Sequence, residues 1–436
     1  MMEAWTDKSQ ILIAIPLLGA ALGLAFWPMP RALKIWALLV TGAEFLALYA
    51  VSGTPSGHTV SAPLILLLIL VAALAILGQY PQKVARADLF IILILMGLGL
   101  GFMVSRGGLS LMFLGSILGL LILLVSRNGK LSSHTLWWGI GMYGFGMVCL
   151  LISLMTALPA SNVALLLVFV VLLPLFPFHG GYVAALAGLP GTLPAFLAVL
   201  LPIMGFHGVL GLIPSMPAGI LQALVILALL GALYASLKAL VQFRVAYLLA
   251  YASLAFFSIL WWYLATTRIY TPQAAVYFSS VALVTGGLFL AWQGVQSRYG
   301  DLDLDRIGGL ARPMPRFATL LSLLVMAAMG LPPFGLFSGY IEMLLNPSIA
   351  LSWDLLVILL TWLMASWYFL SLMQRILFGQ QRPHILYEDL RHTEAASLVL
   401  VLLILVTIGI TPYGFFESDT LTAGYETARE FNLWKK

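Results

Sequence analysis

The segment VVLLPLFPFHGGY, residues 170–182, decides the fold, because it interrupts a long apolar run with two prolines, one histidine and two glycines. Pro174 and Pro177 each lack a backbone N–H and clash with the preceding helical turn, so a helix must break here. In a lipid bilayer, protein or a water-filled cavity must cover the backbone groups that such a break frees. Broken helices of this kind are typical of transport sites.

A second interruption, GLPPFG at residues 330–335, lies far downstream in a similar apolar setting. Pro332 and Pro333 stand at its centre, so the same argument predicts a second broken helix. The two breaks raise the question of whether they still hold transport chemistry.

The composition defines an integral membrane protein. Of the 436 residues, 62% are hydrophobic and 8% are charged, whereas a soluble domain has about 25% charged residues. The single cysteine, Cys149, excludes an intramolecular disulfide and a cysteine-ligated metal cluster. The net charge of +5 is spread through loops, so it reflects membrane topology and not nucleic-acid binding.

The pattern predicts an all-α polytopic membrane protein with about fourteen transmembrane helices, since each span needs about 20 apolar residues. The spans are predicted near residues 11–27, 33–51, 63–77, 89–104, 109–125, 136–155, 163–186, 193–213, 220–240, 246–264, 275–295, 317–345, 353–377 and 395–410.

The basic residues predict the orientation of these spans. Lys and Arg are concentrated in the odd-numbered loops, whereas the even-numbered loops carry only Arg106 and Arg268. By the positive-inside rule the odd-numbered loops are cytoplasmic. We therefore expect a multi-pass protein of the bacterial inner membrane with both termini on the periplasmic side.

The order of the spans also predicts internal repeats. The seventh and twelfth spans, which are broken, are each the fourth of five consecutive helices. Successive five-helix units have opposite orientations in the membrane, as in transporters built from inverted repeats. We predict three N-terminal helices, a first repeat, a second repeat, and a last helix with a polar tail, at residues 1–87, 88–213, 214–380 and 381–436.

Four motifs, taken together, resemble those of the antiporter-like proton-pumping subunits of respiratory complex I (subunits L, M and N) and of Mrp-type antiporters. They are LPLFPFH at 173–179, Gln242 with LLAYAS at 248–253, DRIGGLARPMP at 305–315 and GLPPFGLFSG at 330–339. Their order and spacing resemble the family from about residue 88 to residue 380. The short tail makes subunit M the nearest expectation.

The resemblance implies a membrane-arm module in which protons move along buried charged side chains. In the family, a Glu on the fifth helix is paired with a Lys on the seventh, and further ionisable residues lie on the eighth and twelfth helices. Burial disfavours a charged Lys and a neighbouring Glu restores its charge, so moving the Glu lets the proton leave. Such groups are costly in lipid and are kept where they relay protons.

This sequence departs from the family at each relay position. The fifth span has no acidic residue, Leu172 replaces the seventh-helix Lys, and Tyr340 replaces the charged residue of the twelfth helix. The other substitutions are Gly115 or Ser116 on the fifth helix, Leu201 or Pro202 on the eighth, and Ala246, Tyr247 and Phe256 on the tenth. The motifs of the scaffold are present, whereas the relay charges are missing.

Five ionisable residues remain as candidates for a proton or ion path. His179 matches a family histidine and is either a proton-path group or gate, or a structural histidine that bonds a freed carbonyl. His207 is either a relay group or a packing residue. Lys238 either lines a water-filled cavity or extends to the headgroups.

The other two candidates are acids. Glu44 lies in the middle of the second span, outside the repeats, and either belongs to a proton path or contacts a partner subunit. Glu342 follows the second break and either substitutes for the missing charge or lies near the end of the span. Hydroxyl groups that either order a water chain or only pack include those of Tyr182, Tyr234, Tyr247, Tyr251 and Tyr340.

The loops contain no group of residues typical of a catalytic site. We therefore predict no cofactor and no metal. Whether the chain is part of an oxidoreductase enzyme stays open. The loop acids Asp301, Asp303 and Asp305 are expected to be solvated and offset by Arg298, Arg306 and Arg312. A solvated loop is also expected for the group His384, Glu388, Asp389, His392 and Glu394.

Two function classes follow. The first is a membrane-arm subunit of a complex-I-like, hydrogenase-related, Mrp-like or inorganic-carbon-uptake assembly, which either moves protons or Na⁺ or has become a coupling or scaffold subunit. Its partners would be other membrane subunits and the lipid bilayer. The alternative is a stand-alone secondary transporter or channel of unknown solute, in which half-helix ends bind the substrate. Co-purification with other subunits favours the first class and a monomer the second.

Overall fold

A computed structural model of the chain describes residues 3–52, 62–79, 85–127, 129, 131–269, 271–300, 303–304, 307–347, 349, 352–379 and 388–412. Within these residues the regular structure is helical and no strand occurs. The all-α prediction is therefore confirmed.

The helices follow the apolar runs of the sequence. They are α1 (Glu3–Gly23), α2 (Pro30–Ser52), α3 (Ala62–Gly78), α4 (Ala85–Val104), α5 (Gly108–Ser126), α6 (Ser133–Met155), α7 (Ala160–Leu172), α8 (Gly180–Gly188), α9 (Leu193–Leu212), α10 (Ala218–Leu240), α11 (Val245–Thr267), α12 (Pro272–Tyr299), α13 (Pro315–Ala328), α14 (Gly335–Leu344), α15 (Trp353–Leu377) and α16 (His392–Ile410). Short 3₁₀ turns follow α1, at Leu24–Phe26, and α9, at Ile213–Ser215.

Among the described residues, 10 helices are long and apolar enough to cross a membrane, and four shorter apolar helices accompany them. The pairs α7/α8 and α13/α14 are the two predicted broken helices, since each pair is separated by a proline-containing segment that is not helical. The exact count of fourteen spans stays a prediction.

The chain forms two compact units. The first contains α1 to α9, and the second contains α10 to α16 together with Pro174–His179, the segment of the first break.

In the first unit, α2 packs antiparallel to α1. A Cβ atom on Gly19 would lie 2.7 Å from Val40, and one on Gly23 would lie 3.4 Å from Trp36, so glycine lets the two helices approach closely. The indole N–H of Trp36 donates to the carbonyl of Gly19 at 2.8 Å. α2 also packs against α3 and α4.

A buried polar group fixes the start of α9 in the same unit. The side-chain oxygen of Gln79 accepts from the backbone N–H of Thr192 at 3.0 Å and from its hydroxyl at 2.6 Å. The amide nitrogen of Gln79 donates to the carboxylate of Asp88 at 3.2 Å. All three side chains are buried, so this group pairs polar atoms that would otherwise be costly to bury.

In the second unit, α12 is the central helix, and the apolar part of its span is fully enclosed by protein. A buried ion pair holds the end of α12 to the start of α16. The Nη2 atom of Arg298 lies 2.7 Å from Oε2 of Glu394, and the two side chains are 6% and 7% exposed. The carboxylate of Asp389 accepts from the backbone N–H groups of Arg316 and Phe317 at the start of α13.

This ion pair corrects two expectations from the sequence. Arg298 does not offset the loop acids, because it binds Glu394, which is buried and not part of a solvated loop. Of the loop acids, Asp303 lies 3.6 Å from Arg244. Asp301, Asp305, Arg306 and His384 lie outside the described residues.

Candidate functional site

The first break begins where α7 ends at Leu172 and finishes where α8 begins at Gly180. The backbone N–H of Leu173 still donates to the carbonyl of Phe169 at 2.8 Å. Beyond it, Pro174 and Pro177 prevent the helix from continuing, and the peptide bond between Phe176 and Pro177 is cis. The break therefore lies where the sequence predicts it.

His179 lies in an aromatic cluster of the second unit. Its ring is stacked on Phe176, with centroids 6.0 Å apart, and lies 5.4 Å from the ring of Tyr234 and 6.1 Å from that of Tyr251. The residue is 6% exposed. Its Nδ1 atom has no hydrogen-bond partner among the described residues, so this nitrogen does not bond a carbonyl that the break frees.

Lys238 is the nearest positively charged candidate to this cluster. It lies in the last turn of α10, and its side chain is exposed. The Nζ atom lies 5.9 Å from the centre of the Tyr234 ring, which is the range of a cation–π contact. Since Tyr234 contacts both residues, the structure brings Lys238 and His179 together around one ring. We use the name first-break cluster for Phe176, His179, Tyr234, Lys238 and Tyr251.

The positions that the resemblance assigns to the proton relay near the first break are apolar. Leu172 is fully buried at the end of α7, and Leu201 and Pro202 are buried in α9. Their side chains have no group that binds a proton. The first break therefore has a titratable histidine and a lysine near it, but none of the predicted relay charges.

The second break begins after α13, which ends at Ala328, and finishes at Gly335, where α14 begins. Gly330 has a φ of 68°, a left-handed conformation that favours glycine. A Cβ atom on Gly330 would lie 1.9 Å from the ring of Trp362. Here too one X–Pro bond, between Pro332 and Pro333, is cis.

Tyr340 is the residue that the resemblance assigns to the relay position of the twelfth helix. Its ring is stacked on that of Trp362, with centroids 3.6 Å apart and planes 16° apart. Phe256 lies 5.7 Å from the same tryptophan and is itself stacked on Phe369. Tyr277 lies 6.5 Å from Tyr340. We call these five residues the second-break cluster, and all of its side chains are aromatic.

The remaining candidates lie elsewhere. His207 is half-buried on α9 and contacts Phe102 edge to face, with centroids 5.6 Å apart. Glu342 is half-buried on α14. Glu44 is completely buried in α2 of the first unit. Their roles in an ion path stay predictions.

Sequence reasoning missed the aromatic partners in both clusters. It left open whether the tyrosines order water or only pack, and the structure shows ring contacts for Tyr234, Tyr251 and Tyr340. The aromatic richness of α15, with Trp362 and Phe369, was the available signal, but it does not indicate which ring meets which.

Two helices broken at prolines within an all-helical, multi-pass membrane fold are typical of transporter-like membrane proteins. The family model "NADH:quinone oxidoreductase/Mrp antiporter, TM" matches residues 110–366, which is more than half of the chain. The chain belongs to this family, and the resemblance drawn from the four motifs is confirmed.

Individual relatives agree with this assignment. The chain is 30% identical over 267 residues to NADH-quinone oxidoreductase subunit 13 of Thermus thermophilus, with 57% of this chain and 54% of the relative covered. It is 25% identical over 258 residues to NADH-quinone oxidoreductase subunit M of Rickettsia prowazekii, with 57% and 52% covered. The chain spans about half the length of the curated relatives it matches.

A solved structure shows the same fold over nearly the whole chain. A chain of respiratory complex I from Thermus thermophilus with bound NADH matches with a TM-score of 0.81 and 24% identity, covering 97% of this chain and 99% of that chain. At this identity the likeness concerns the fold alone.

Proposed function

We propose that the chain is a membrane-arm subunit of a multi-subunit, complex-I-like respiratory assembly in the bacterial inner membrane. The family and the fold support this proposal, since the similar solved chain belongs to respiratory complex I. Other membrane subunits of the assembly are then its partners. The distribution of Lys and Arg supports termini on the periplasmic side, and the order of helices supports inverted repeats at residues 88–213 and 214–380.

Within that assembly, the proposed role is coupling or scaffolding of neighbouring subunits and not a complete proton relay. The observation that carries this proposal is the second-break cluster, because Tyr340 stacks on Trp362 at a position where the sequence resemblance implies a charged side chain. Tyrosine, with a reference pKa near 10, is a poor proton store at neutral pH. Apolar Leu172 at the first break supports the same role.

The first test of this proposal is purification of the tagged chain from its native membranes in a mild detergent. We expect stoichiometric co-purification of other membrane subunits and of redox subunits, identified by mass spectrometry. A chain that purifies as a monomer under conditions that keep a known membrane complex intact would contradict the proposal and favour a stand-alone transporter.

The second test measures proton flux. The purified chain is reconstituted into liposomes that contain a pH-sensitive dye, and an imposed potential drives proton entry. We expect a flux no greater than that of empty liposomes, since the relay charges are absent. A flux well above this background would show that protons pass through the chain itself.

A second candidate function is a residual proton path through the first break. The observation that favours it is the buried Nδ1 atom of His179, which has no partner among the described residues and lies in a cluster that includes Lys238. If liposomes or the whole assembly show flux, His179→Ala should reduce it strongly and Lys238→Ala should reduce it less. Unchanged flux in both variants would remove this candidate.

A further inference from the structure

Glu44 is a buried acid that neither break uses. It lies on α2 and is 0% exposed. Both carboxyl oxygens are buried, and neither has a hydrogen-bond partner among the described residues. Among the described residues, no hydrogen-bond donor therefore stabilises a negative charge on Glu44.

Among the side chains that the structure describes on α1 to α4, none with a charge lies level with Glu44. The segments that pack against α2 are α1, α3, α4 and the 3₁₀ turn after α1. Residues 10–26, 62–78 and 89–104 of these segments contain no ionisable side chain. On α2 itself, Tyr49 is 80% exposed, and Lys34 and Arg31 are ten and thirteen residues away, which is about 15 Å or more along a helix. On α4, Arg86 and Asp88 precede Gly97, which faces Pro16 and Leu17 of α1, by at least nine residues, which is about 14 Å.

Lys34 also has hydrogen-bond partners of its own, at the end of α3. Its Nζ atom donates to the carbonyl of Leu77 and to that of Gln79, both at 2.8 Å. The nearest cation on α2 is therefore held away from Glu44. An ionised carboxylate at this position would be buried without a partner, which costs far more than burying a neutral acid.

The helix that faces Glu44 offers an acceptor for a protonated carboxyl group. α1 contains Pro16, which has no N–H to donate to the carbonyl of Leu12. Gly19 faces Val40, so the antiparallel register places Glu44 level with the turn between Leu12 and Pro16. A protonated carboxyl group has an O–H that can donate, whereas an ionised one only accepts.

Glu394 is the contrasting case within the same chain. It is buried to a similar degree, 5% exposed, but its carboxylate binds Arg298 and the backbone N–H of Arg391. Charge-assisted hydrogen bonds of this kind stabilise the ionised form. The two buried glutamates therefore have opposite surroundings.

We propose that Glu44 is a proton-binding site enclosed by α1 to α4, in which the carboxyl group carries its proton at neutral pH. The occupant is a proton and not a basic side chain of a partner, because the residue is already 0% exposed and both carboxyl oxygens are buried within this chain alone. The site does not depend on the coupling role proposed above.

Infrared spectroscopy of the purified full chain tests this site directly. A protonated carboxyl group gives a carbonyl band that is separate from those of carboxylates and amides, and the band shifts in D₂O if the proton exchanges. We expect Glu44→Gln to remove such a band from the wild-type spectrum at neutral pH, while Glu394→Gln leaves it unchanged. A wild-type spectrum from which Glu44→Gln removes no acid band would overturn the proposal.

Carbodiimide labelling of the wild-type chain gives a second measurement that does not depend on a variant folding. The carboxyl O–H adds across a C=N bond of dicyclohexylcarbodiimide to form an O-acylisourea, which rearranges to a stable N-acylurea with no leaving group and no redox change. Both glutamates are buried, 0% and 5% exposed, so the reagent reaches either only when the helices open, and the comparison is matched for access. The protonated form reacts, so at neutral pH we expect at least about tenfold more label on Glu44 than on Glu394, whose carboxylate is bound by Arg298. Equal labelling, or labelling of Glu394 alone, would contradict the proposal.

Discussion

The two breaks have the same backbone design and different contents. Each has prolines between two half-helices and one cis X–Pro bond. The first-break cluster contains His179, with a buried nitrogen that has no partner among the described residues, and Lys238 beside the same tyrosine. In the second-break cluster, the ring of Tyr340 is stacked on Trp362 at 3.6 Å. A broken membrane helix therefore does not require a charge at its centre, since aromatic rings can also cover it.

The largest expected effect concerns a glycine that contacts a tryptophan at each break. A Cβ atom on Gly330 would lie 1.9 Å from the Trp362 ring, and one on Gly180 would lie 1.6 Å from that of Trp138. The ring of Trp362 is stacked on Tyr340 with centroids only 3.6 Å apart. Trp138 is stacked more loosely on His134, with centroids 6.2 Å apart, and is 43% exposed. We expect Gly330→Ala to cost about 4 kcal/mol of stability, from overpacking and from its positive φ, and Gly180→Ala to cost less.

Thermal unfolding of the detergent-solubilised chain, followed by size-exclusion chromatography, measures both variants. Gly300→Ala is the matched control, because Gly300 also has a positive φ, 77°, but no atom lies within 4 Å of a Cβ placed there. It should show only the conformational cost, about 1–3 kcal/mol. If Gly330→Ala is no worse than this control, the second break is not tightly filled.

The next effect tests whether the aromatic stack holds the second break. Trp362→Ala removes the ring that packs on Tyr340 and Phe256, and we expect a loss of about 3 kcal/mol. Trp367→Ala on the same helix is the control, since that side chain is 73% exposed and should cost less than about 0.5 kcal/mol. Similar melting temperatures for the two variants would show that the stack contributes little.

The sequence was sufficient to predict the breaks but not what fills them. Proline disrupts the helical turn that immediately precedes it, and long apolar runs define the spans. The breaks after Leu172 and Ala328 could therefore be predicted from local signals in the sequence. The stack of Tyr340 on Trp362 depends on how two helices pack and on the rotamers of two side chains. The ion pair of Arg298 with Glu394 joins residues 96 positions apart, and the nearer loop acids suggested the wrong partner.

A smaller effect, of opposite sign, is expected for the hydroxyl group of Tyr340. This oxygen is buried without a hydrogen-bond partner among the described residues. Tyr340→Phe keeps the ring and removes an unsatisfied polar atom, so stability should rise by up to about 1 kcal/mol. If instead the variant lowers the proton flux or the activity of the assembly, the hydroxyl group belongs to a path and the second break is not inert.

The smallest effect on stability is expected for substitutions of Lys238. The proton flux of these variants tests whether the two breaks differ in function. The Nζ atom contacts the Tyr234 ring from an exposed position, so Lys238→Met should cost only about 0.5–1 kcal/mol, and Lys238→Arg should cost less because it keeps the cation. If the first break carries protons, Lys238→Met should change the proton flux of the assembly, because removing the charge alters the electrostatics near His179. The melting temperature of the variant should stay near that of the wild type, because the packing is unchanged. Equal flux in the wild type, Lys238→Met and Lys238→Arg would make the first break as inert as the second, and the difference between the two clusters would then be one of packing alone.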